Sequence, residues 1–317
     1  MQTKTELPVR PKRVWRDVHG VLLLDKPQGL TSNDALQKAR RLFSAAKGGH
    51  TGTLDPMATG LLPLCFGEAT KFSADLLDAD KAYETTLCLG VTTDTGDAEG
   101  EPVLKRVASC ALAEVDAAIK RFVGHIQQVP PMYSALKRNG RPLYELARAG
   151  QTVDRDARSI HIASIERVSD LIELGDGCQA LTLRVACSKG TYIRVLGEDI
   201  GEILGCGAHL TMLRRIQVGR LTLAGAVTLA DLEAIAEPDR FSYLQPVDSL
   251  LSNFPLAQLD VAGTERFHHG NPVLWEEMLE LPEGVLFRVY GTEGQLLGTG
   301  QRDERNLLWP KRLLRLV

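Results

Sequence analysis

The sequence predicts an α+β fold, with a largely antiparallel mixed sheet flanked by helices and loops and a small β-rich module after it. Three observations lead there. Strand-length apolar runs mix with amphipathic helical stretches, without the strict alternation that builds a parallel sheet. The 317 residues exceed one typical domain. From about residue 250 the elements become short strand candidates with Gly-rich turns such as Gly291-Thr-Glu-Gly294, the pattern of a small barrel-like unit.

Taken in order, the first strand is Gly20-Val-Leu-Leu-Leu-Asp25, and Lys26-Pro27-Gln28-Gly29 turns the chain with one fixed φ and one free φ. Thr31, Ser32, Asn33 and Asp34 are N-cap candidates for a helix with the apolar face Ala35, Leu36, Ala39, Leu42 and Phe43. Gly49-His-Thr-Gly-Thr-Leu-Asp-Pro-Met-Ala-Thr-Gly60 holds three glycines and a proline, which forbid a regular element. It presents Asp55, His50 and three hydroxyls, and it runs straight into the apolar stretch 61–66. A polar tip on a buried support is how catalytic groups are presented, although an Asx-turn accounts for a lone Asp equally well. Lys81 to Gly90 reads as a strand. Asp94 to Glu101 reads as a solvated acidic loop.

A helix is expected over 113–123, followed by an irregular, Pro-rich segment over 129–137. Strands are expected at 159–168, 179–188 and 191–197, then a helix at 198–204 and the stretch Ala208–Arg215. Further strands are expected at 285–290 and 295–299. The domain boundary is placed within Pro246–Asn253, giving an N-terminal basic extension over 1–19, a catalytic domain over 20–249 with a basic insertion near 120–160, and a module over 250–317.

Composition narrows the chemistry. The six cysteines are scattered without a CxxC pair, which argues against a structural zinc site and for buried thiols in a reducing compartment. The first twenty residues lack a signal-peptide core, and no apolar run reaches membrane-spanning length, so a cytoplasmic protein is expected. Net charge is −3, yet residues 1–60 carry ten Lys/Arg against five acids, and residues 120–160 carry eight against three. Residues 75–101 carry eight acids and one lysine. Such segregation can offer a polyanion a local docking surface, though charge runs are more often solvated faces.

Several chemistries drop out. Asp94-Thr-Gly96 has no second copy with which to form a carboxylate dyad. No dinucleotide, P-loop or nucleophile-elbow motif occurs. His268-His269 lacks companions at ligand spacing. Asp55, Tyr83 and Arg194 remain, with basic flanks. A guanidinium keeps a carboxylate ionised and an aromatic face stacks a base, the parts needed for chemistry on an extruded nucleotide.

With those residues in view, the chain resembles the TruB-type tRNA pseudouridine synthases, from about Gly20 to Leu232. The matching motifs are Gly20–Gly29, Gly49–Gly60, Pro130-Pro-Met-Tyr-Ser-Ala-Leu-Lys137, Cys187-Ser-Lys-Gly-Thr-Tyr-Ile-Arg194 and Gly207-Ala-His-Leu-Thr-Met-Leu-Arg-Arg215. More loosely, residues from about 250 resemble the PUA module, an RNA-binding fold.

The resemblance implies a pseudouridine synthase fold that isomerises uridine-55 in the tRNA T-loop by base flipping, without cofactor or metal. Asp55 is then the catalytic aspartate, acting on the ribose anomeric carbon, the base or a ribose proton. Tyr83 stacks on the target base and assists loss of the C5 proton, and Arg194 pairs with Asp55. His50 fills the space left by extruded bases, Leu213 lines the uracil pocket and Lys26 supports the loop. Lys137, Arg138, Arg141 and Arg148 are the expected phosphate contacts. The extension with Arg10, Lys12, Arg13 and Arg16 has no chemistry in the family pattern. The expected partner is the T-arm stem-loop of tRNA, with no membrane and no obligate protein partner, and the expected state is a monomer. Competing readings are an RNA-binding protein that helps tRNA fold without catalysis, and the related synthase that depends on a guide RNA.

Overall fold

The computed structural model describes residues 14–138, 140–275 and 284–315. Two sheets dominate it. A 12-stranded sheet takes its strands from the first 245 residues, and a five-stranded sheet takes its strands from 256 onward.

The large sheet begins with β1 (Gly20–Lys26), which reaches β2 (Gly48–His50) through α1 (Ser32–Leu42). Thr31 caps α1 by accepting from the Asp34 N–H, so of the four cap candidates the first is used. The loop carrying Asp55 leads into β3 (Thr59–Phe66), and α2 (Ser73–Leu77) precedes β4 (Lys81–Leu89). A hairpin of β5 (Val91–Thr93) and β6 (Pro102–Lys105), then α3 (Leu112–Lys120), lead to β7 (Gly124–Gln128). A small hairpin, β8 (Lys137–Arg138) and β9 (Arg141–Pro142), and the short α4 (Leu143–Arg148) interrupt the sheet. It resumes with β10 (Arg158–Arg167), β11 (Ile172–Gly175) and β12 (Cys178–Cys187), and α5 (Ile193–Ile203) returns the chain to β13 (Ala208–Val218).

Across the sheet the order is β1-β3-β13-β4-β12-β10-β7. Every pairing among these is antiparallel except β3 beside β13; a short strand at Val227–Thr228 also runs parallel to β1. Strands β1 and β3 are buried on both faces, which explains their near-continuous apolar runs. Alternate residues divide between two cores: Leu22, Leu24, Leu62 and Leu64 in one, Val21, Leu23, Leu61 and Cys65 in the other.

Two expectations fail. Residues 191–197 are not a strand, because α5 starts at Ile193 and absorbs most of that stretch together with the predicted helix at 198–204. The reason is packing. Ile193, Leu196 and Ile200 form one buried face, while Gly197 and Gly201 let the helix lie on the sheet. A Cβ on Gly197 would stand 2.4 Å from Leu210 Cδ1, and one on Gly201 would stand 2.3 Å from the Ala208 nitrogen.

The acidic segment 94–101 is a loop with Asp94, Glu99 and Glu101 exposed, but it is not solvated throughout. Asp97 is 3% exposed, and the Leu210 N–H donates to Gly96 O at 3.0 Å, tying the loop to β13. Within the N-terminal extension, Arg10, Lys12 and Arg13 lie outside the described residues. Arg16 pairs with Glu237 at 3.1 Å, and its backbone bonds to Ser44 and Ala46.

The five-stranded sheet carries its own core of Phe267, Phe287, Val289, Leu297 and Leu308. It is fastened to the larger unit by an Arg312–Asp75 ion pair and by Tyr290 Oη donating to Asp248 at 2.6 Å. All six cysteines are free thiols, five of them buried. No described helix is long and apolar enough to cross a membrane.

Candidate active site

The loop before β3 cannot hold itself, so its backbone groups are satisfied from outside. Ser32, at the start of α1, accepts from the Leu54 N–H at 2.7 Å and donates to Leu54 O at 3.1 Å. The Gly29 N–H donates to Pro56 O at 2.8 Å. Lys26, fully buried, sends its ammonium to Leu30 O at 2.6 Å, Pro27 O at 2.9 Å and Pro56 O at 3.4 Å. Burial pulls its pKa down to about 8.

From the other side comes Arg215 on β13, donating to Leu61 O at 2.8 Å, Gly52 O at 3.2 Å and Thr53 O at 3.5 Å. Gly60 permits that approach. Its φ is +97°, and a Cβ there would lie 2.2 Å from Arg215 O.

Asp55 thus sits at the tip of a clamped loop, 39% exposed, facing a cation that is only 5% exposed. Arg194 Nη2 lies 2.9 Å from Asp55 Oδ2, and Nη1 lies 3.5 Å from Asp97 Oδ2. Two further donor directions go to Thr95 O at 2.9 Å and Tyr133 O at 2.6 Å. The guanidinium is therefore fixed by two carboxylates and two carbonyls, and Asp55 faces a charge that cannot swing away. Asp97 in turn accepts from Thr95 Oγ1 at 2.6 Å and from the Glu99 N–H at 3.1 Å. Burial, with the neighbouring carboxylates adding to it, pushes the pKa of Glu99 up.

Arg194, Asp55 and Arg215 line a cleft of about 250 Å³ together with Tyr83, Leu213, Tyr192 and Lys81. That is below the roughly 300 Å³ lower bound for drug-sized sites, and it suits one heterocyclic ring. Tyr83 and Leu213 project from neighbouring strands, with Tyr83 opposite Arg215 and Leu213 opposite Thr85. Part of Tyr83 remains open to the cleft while its hydroxyl is enclosed; burial raises that phenol's pKa, opposed by the Arg215 charge. The phenol is neutral near pH 7.

The structure brings Asp55, Tyr83, Arg194 and Leu213 together. Lys26 and His50 stand outside the cleft wall. Lys26 is beneath the loop; His50 ends β2, half-buried, its pKa lowered by burial and then by Arg215. Lys137, Arg138 and Arg141 are exposed on the β8–β9 hairpin and Arg148 is exposed on α4; none of them lines the cleft, although Ser134 and Ala135 at the hairpin's root do.

Sequence reasoning missed two buried participants. Asp97 was hidden in an acidic stretch. Arg215 shares a strand face with Leu213 by the two-residue period, and a charge at an inward position of a strand is a readable signal.

Residues 40–193 match the TruB family pseudouridylate synthase (N terminal domain), residues 194–252 the tRNA pseudouridylate synthase B C-terminal domain, and residues 255–314 the pseudouridine synthase II TruB, C-terminal. The chain belongs to the TruB family of pseudouridine synthases. Its similar relatives include proteins named tRNA pseudouridine synthase B. One from Dechloromonas aromatica (strain RCB) is 60% identical over 308 residues, 96% of this chain and 99% of the relative. Another, from Cupriavidus metallidurans (strain ATCC 43123 / DSM 2839 / NBRC 102507 / CH34), is 58% identical over 312 residues, covering 97% and 98%.

Solved structures extend the likeness in fold. A chain of an H/ACA RNP bound to a substrate RNA containing 2′-deoxyuridine aligns with TM-score 0.70 at 22% identity, covering 94% of this chain and 86% of that one. A chain of a Cbf5-Nop10-Gar1 complex aligns at 0.69 and 25%, covering 94% and 84%. The junction between the first two TruB matches falls at residues 193 and 194, inside the first turn of α5. The second match is therefore not a separate unit, because the helix holding Arg194 spans both.

Proposed function

We propose that this TruB-family chain isomerises uridine-55 of tRNA to pseudouridine in the cleft beside Asp55. The observation that carries the reading is the 2.9 Å pair between a buried, immobilised Arg194 and the half-open Asp55 on the wall of a cleft sized for one base. The target uridine is flipped out of the T-loop into this cleft, where Arg194 holds Asp55 ionised and aimed. Asp55 acts on the nucleotide, the N1–C1′ bond breaks, and the uracil turns. A C5–C1′ bond then forms, and the C5 proton is lost as N1 takes one up, so the product is an isomer.

Tyr83 offers its ring to the base, and Leu213 supplies the apolar wall. Lys26 holds the loop through Leu30 and Pro56. His50, kept neutral, occupies the space vacated by extruded bases. Lys137, Arg138, Arg141 and Arg148 grip phosphates of the T-arm stem-loop. The catalytic domain over 20–249 acts as a cytoplasmic monomer with the PUA-like module over 250–317 adding RNA contact, and unfolding the T-loop to reach its base also assists tRNA folding.

The test is tritium release from a T-arm stem-loop labelled at uracil C5. The parent protein should release tritium without added guide RNA or partner. Asp55→Asn should release none while stem-loop affinity changes less than about tenfold, or about 1.4 kcal/mol. Turnover by Asp55→Asn near the parent's rate overturns the assignment of the carboxylate. Binding without release by the parent overturns the stand-alone synthase in favour of guide dependence or RNA chaperoning.

A further inference from the structure

Arg215 is the largest fully buried side chain among the described residues, 1% exposed, and no carboxylate of those residues forms an ion pair with it. Its neighbour Arg214 points the other way and takes a bidentate grip on Asp25, at 3.0 and 2.6 Å. A buried cation with only dipoles for partners is costly, and apolar side chains could join the same strands at lower cost. The arrangement of its donors shows what the cost secures.

Arg215 Nε goes to Leu61 O, just after the catalytic loop, while Nη2 and Nη1 go to Gly52 O and Thr53 O, just before Asp55. Both ends of the loop are therefore held by one planar group. Tyr83 is the residue directly opposite Arg215 on β4, both line the cleft, and the Arg215 charge acts on the Tyr83 phenol. A guanidinium is a rigid fork that holds several acceptors in fixed relative positions, which a flexible ammonium cannot do.

We propose that Arg215 is a positioning residue for the isomerisation, locking the Tyr83 ring and the Asp55 loop into one relative geometry so that a base stacked on Tyr83 meets the carboxylate. This rests on the reading of the cleft given above. It assigns the Tyr83 hydroxyl an anchoring task, distinct from the ring's stacking task. It also accounts for the choice of a charged group, since Arg215 biases its surroundings as well: its field adds to burial in holding His50, Lys26 and Lys81 below their ordinary pKa values.

The test compares single-turnover rate constants at saturating T-arm stem-loop, and stem-loop Kd, for the parent, Arg215→Met, Arg215→Lys, Tyr83→Phe and the Arg215→Lys/Tyr83→Phe double variant. A loosened site of this kind loses about 100-fold in rate, so each single variant should fall by 10- to 100-fold with Kd within about threefold. The double variant should be no slower than the slower of its two parents, because both changes break one linkage.

Arg215→Lys keeps the buried charge and the fold but not the fork, so it remains informative where Arg215→Met fails to fold. Parent-like turnover by folded Arg215→Lys overturns the inference. So do rate losses that multiply in the double variant, and so does a loss confined to Kd. Failure of the underlying site reading looks different, because Asp55→Asn is then active whatever Arg215 does.

Discussion

The Asp55 loop over 49–60 and the basic segment over 129–157 begin alike, both irregular, both short of regular hydrogen bonds and both rich in residues that end helices and strands. They end differently. The loop's carbonyls are taken by Lys26, Arg215, Ser32 and the Gly29 N–H, delivered from the sheet, from α1 and from the turn between β1 and α1. Among its described residues the basic segment has a two-by-two hairpin, a six-residue helix and mostly exposed cations; one buried donor, Arg194, reaches its root at Tyr133 O, and the rest has single ties such as Arg155 Nη1 to Pro130 O at 3.2 Å. Irregular backbone becomes one fixed shape only where buried donors meet its carbonyls. Bond-breaking needs that fixity, whereas gripping a phosphate backbone tolerates adjustment.

The sharpest way to break the comparison is to loosen the clamp without changing its shape. Asp97→Asn preserves the size of the side chain that holds the 94–101 loop but leaves Arg194 with Asp55 as its one charged partner. Single-turnover rate should fall by about 10- to 100-fold, or 1.4 to 2.7 kcal/mol. Urea melts should show a loss of about 1 to 3 kcal/mol, and stem-loop affinity should stay near the parent's. An unchanged rate with the same loss of stability makes Asp97 a loop anchor and nothing more.

That residue also shows where reading the sequence stops. Strand β1, helix α1, strand β4 and the loop at Asp55 were legible because their signals are local: an apolar run, caps, alternation, and glycine with proline. The segment 191–197 misled because Thr-Tyr-Ile-Arg-Val-Leu carries strand propensity, while the helix is decided by what packs beneath it. The pair Gly197 and Gly201, one helical turn apart, was the available sign of close helix–sheet contact. Asp97 had no such sign. Its burial depends on Arg194, ninety-seven positions later (194 − 97), and on the Leu210 N–H of β13. The family motifs made Asp55, Tyr83 and Arg194 visible. What makes them a site, the buried cations that order the loop, is a property of the fold.

A smaller effect should follow from the other region. Neutralising Lys137 and Arg141 on the hairpin, as Lys137→Gln/Arg141→Gln, should weaken binding by about tenfold near physiological salt. The slope of log K against log salt should flatten by roughly 0.7 to 0.9 per lost contact. Rate at saturating RNA should stay within about twofold of the parent, since neither side chain lines the cleft. A fall in saturated rate with an unchanged salt slope would mean that the hairpin shapes the cleft through Ser134 and Ala135 and does not grip phosphate.

The smallest effect separates a buried lysine from an exposed one by stability alone. Lys26 titrates near 8 in the folded chain and near 10.5 when unfolded, so between those values the unfolded chain binds more protons. Its contribution to stability therefore rises with pH as the penalty for a buried ammonium is relieved. Buried thiols act in the opposite direction above pH 9: Cys65, raised to about 12, stays protonated in the fold while the unfolded chain ionises. The difference between parent and Lys26→Met removes that background. From pH 7.5 to 9.5 the parent should gain about 1 to 2 kcal/mol relative to Lys26→Met, whereas Lys137→Met on the exposed hairpin should track the parent throughout. Parallel profiles for parent and Lys26→Met would place the Lys26 ammonium in contact with water, and the loop would then owe its shape to Arg215 and Ser32.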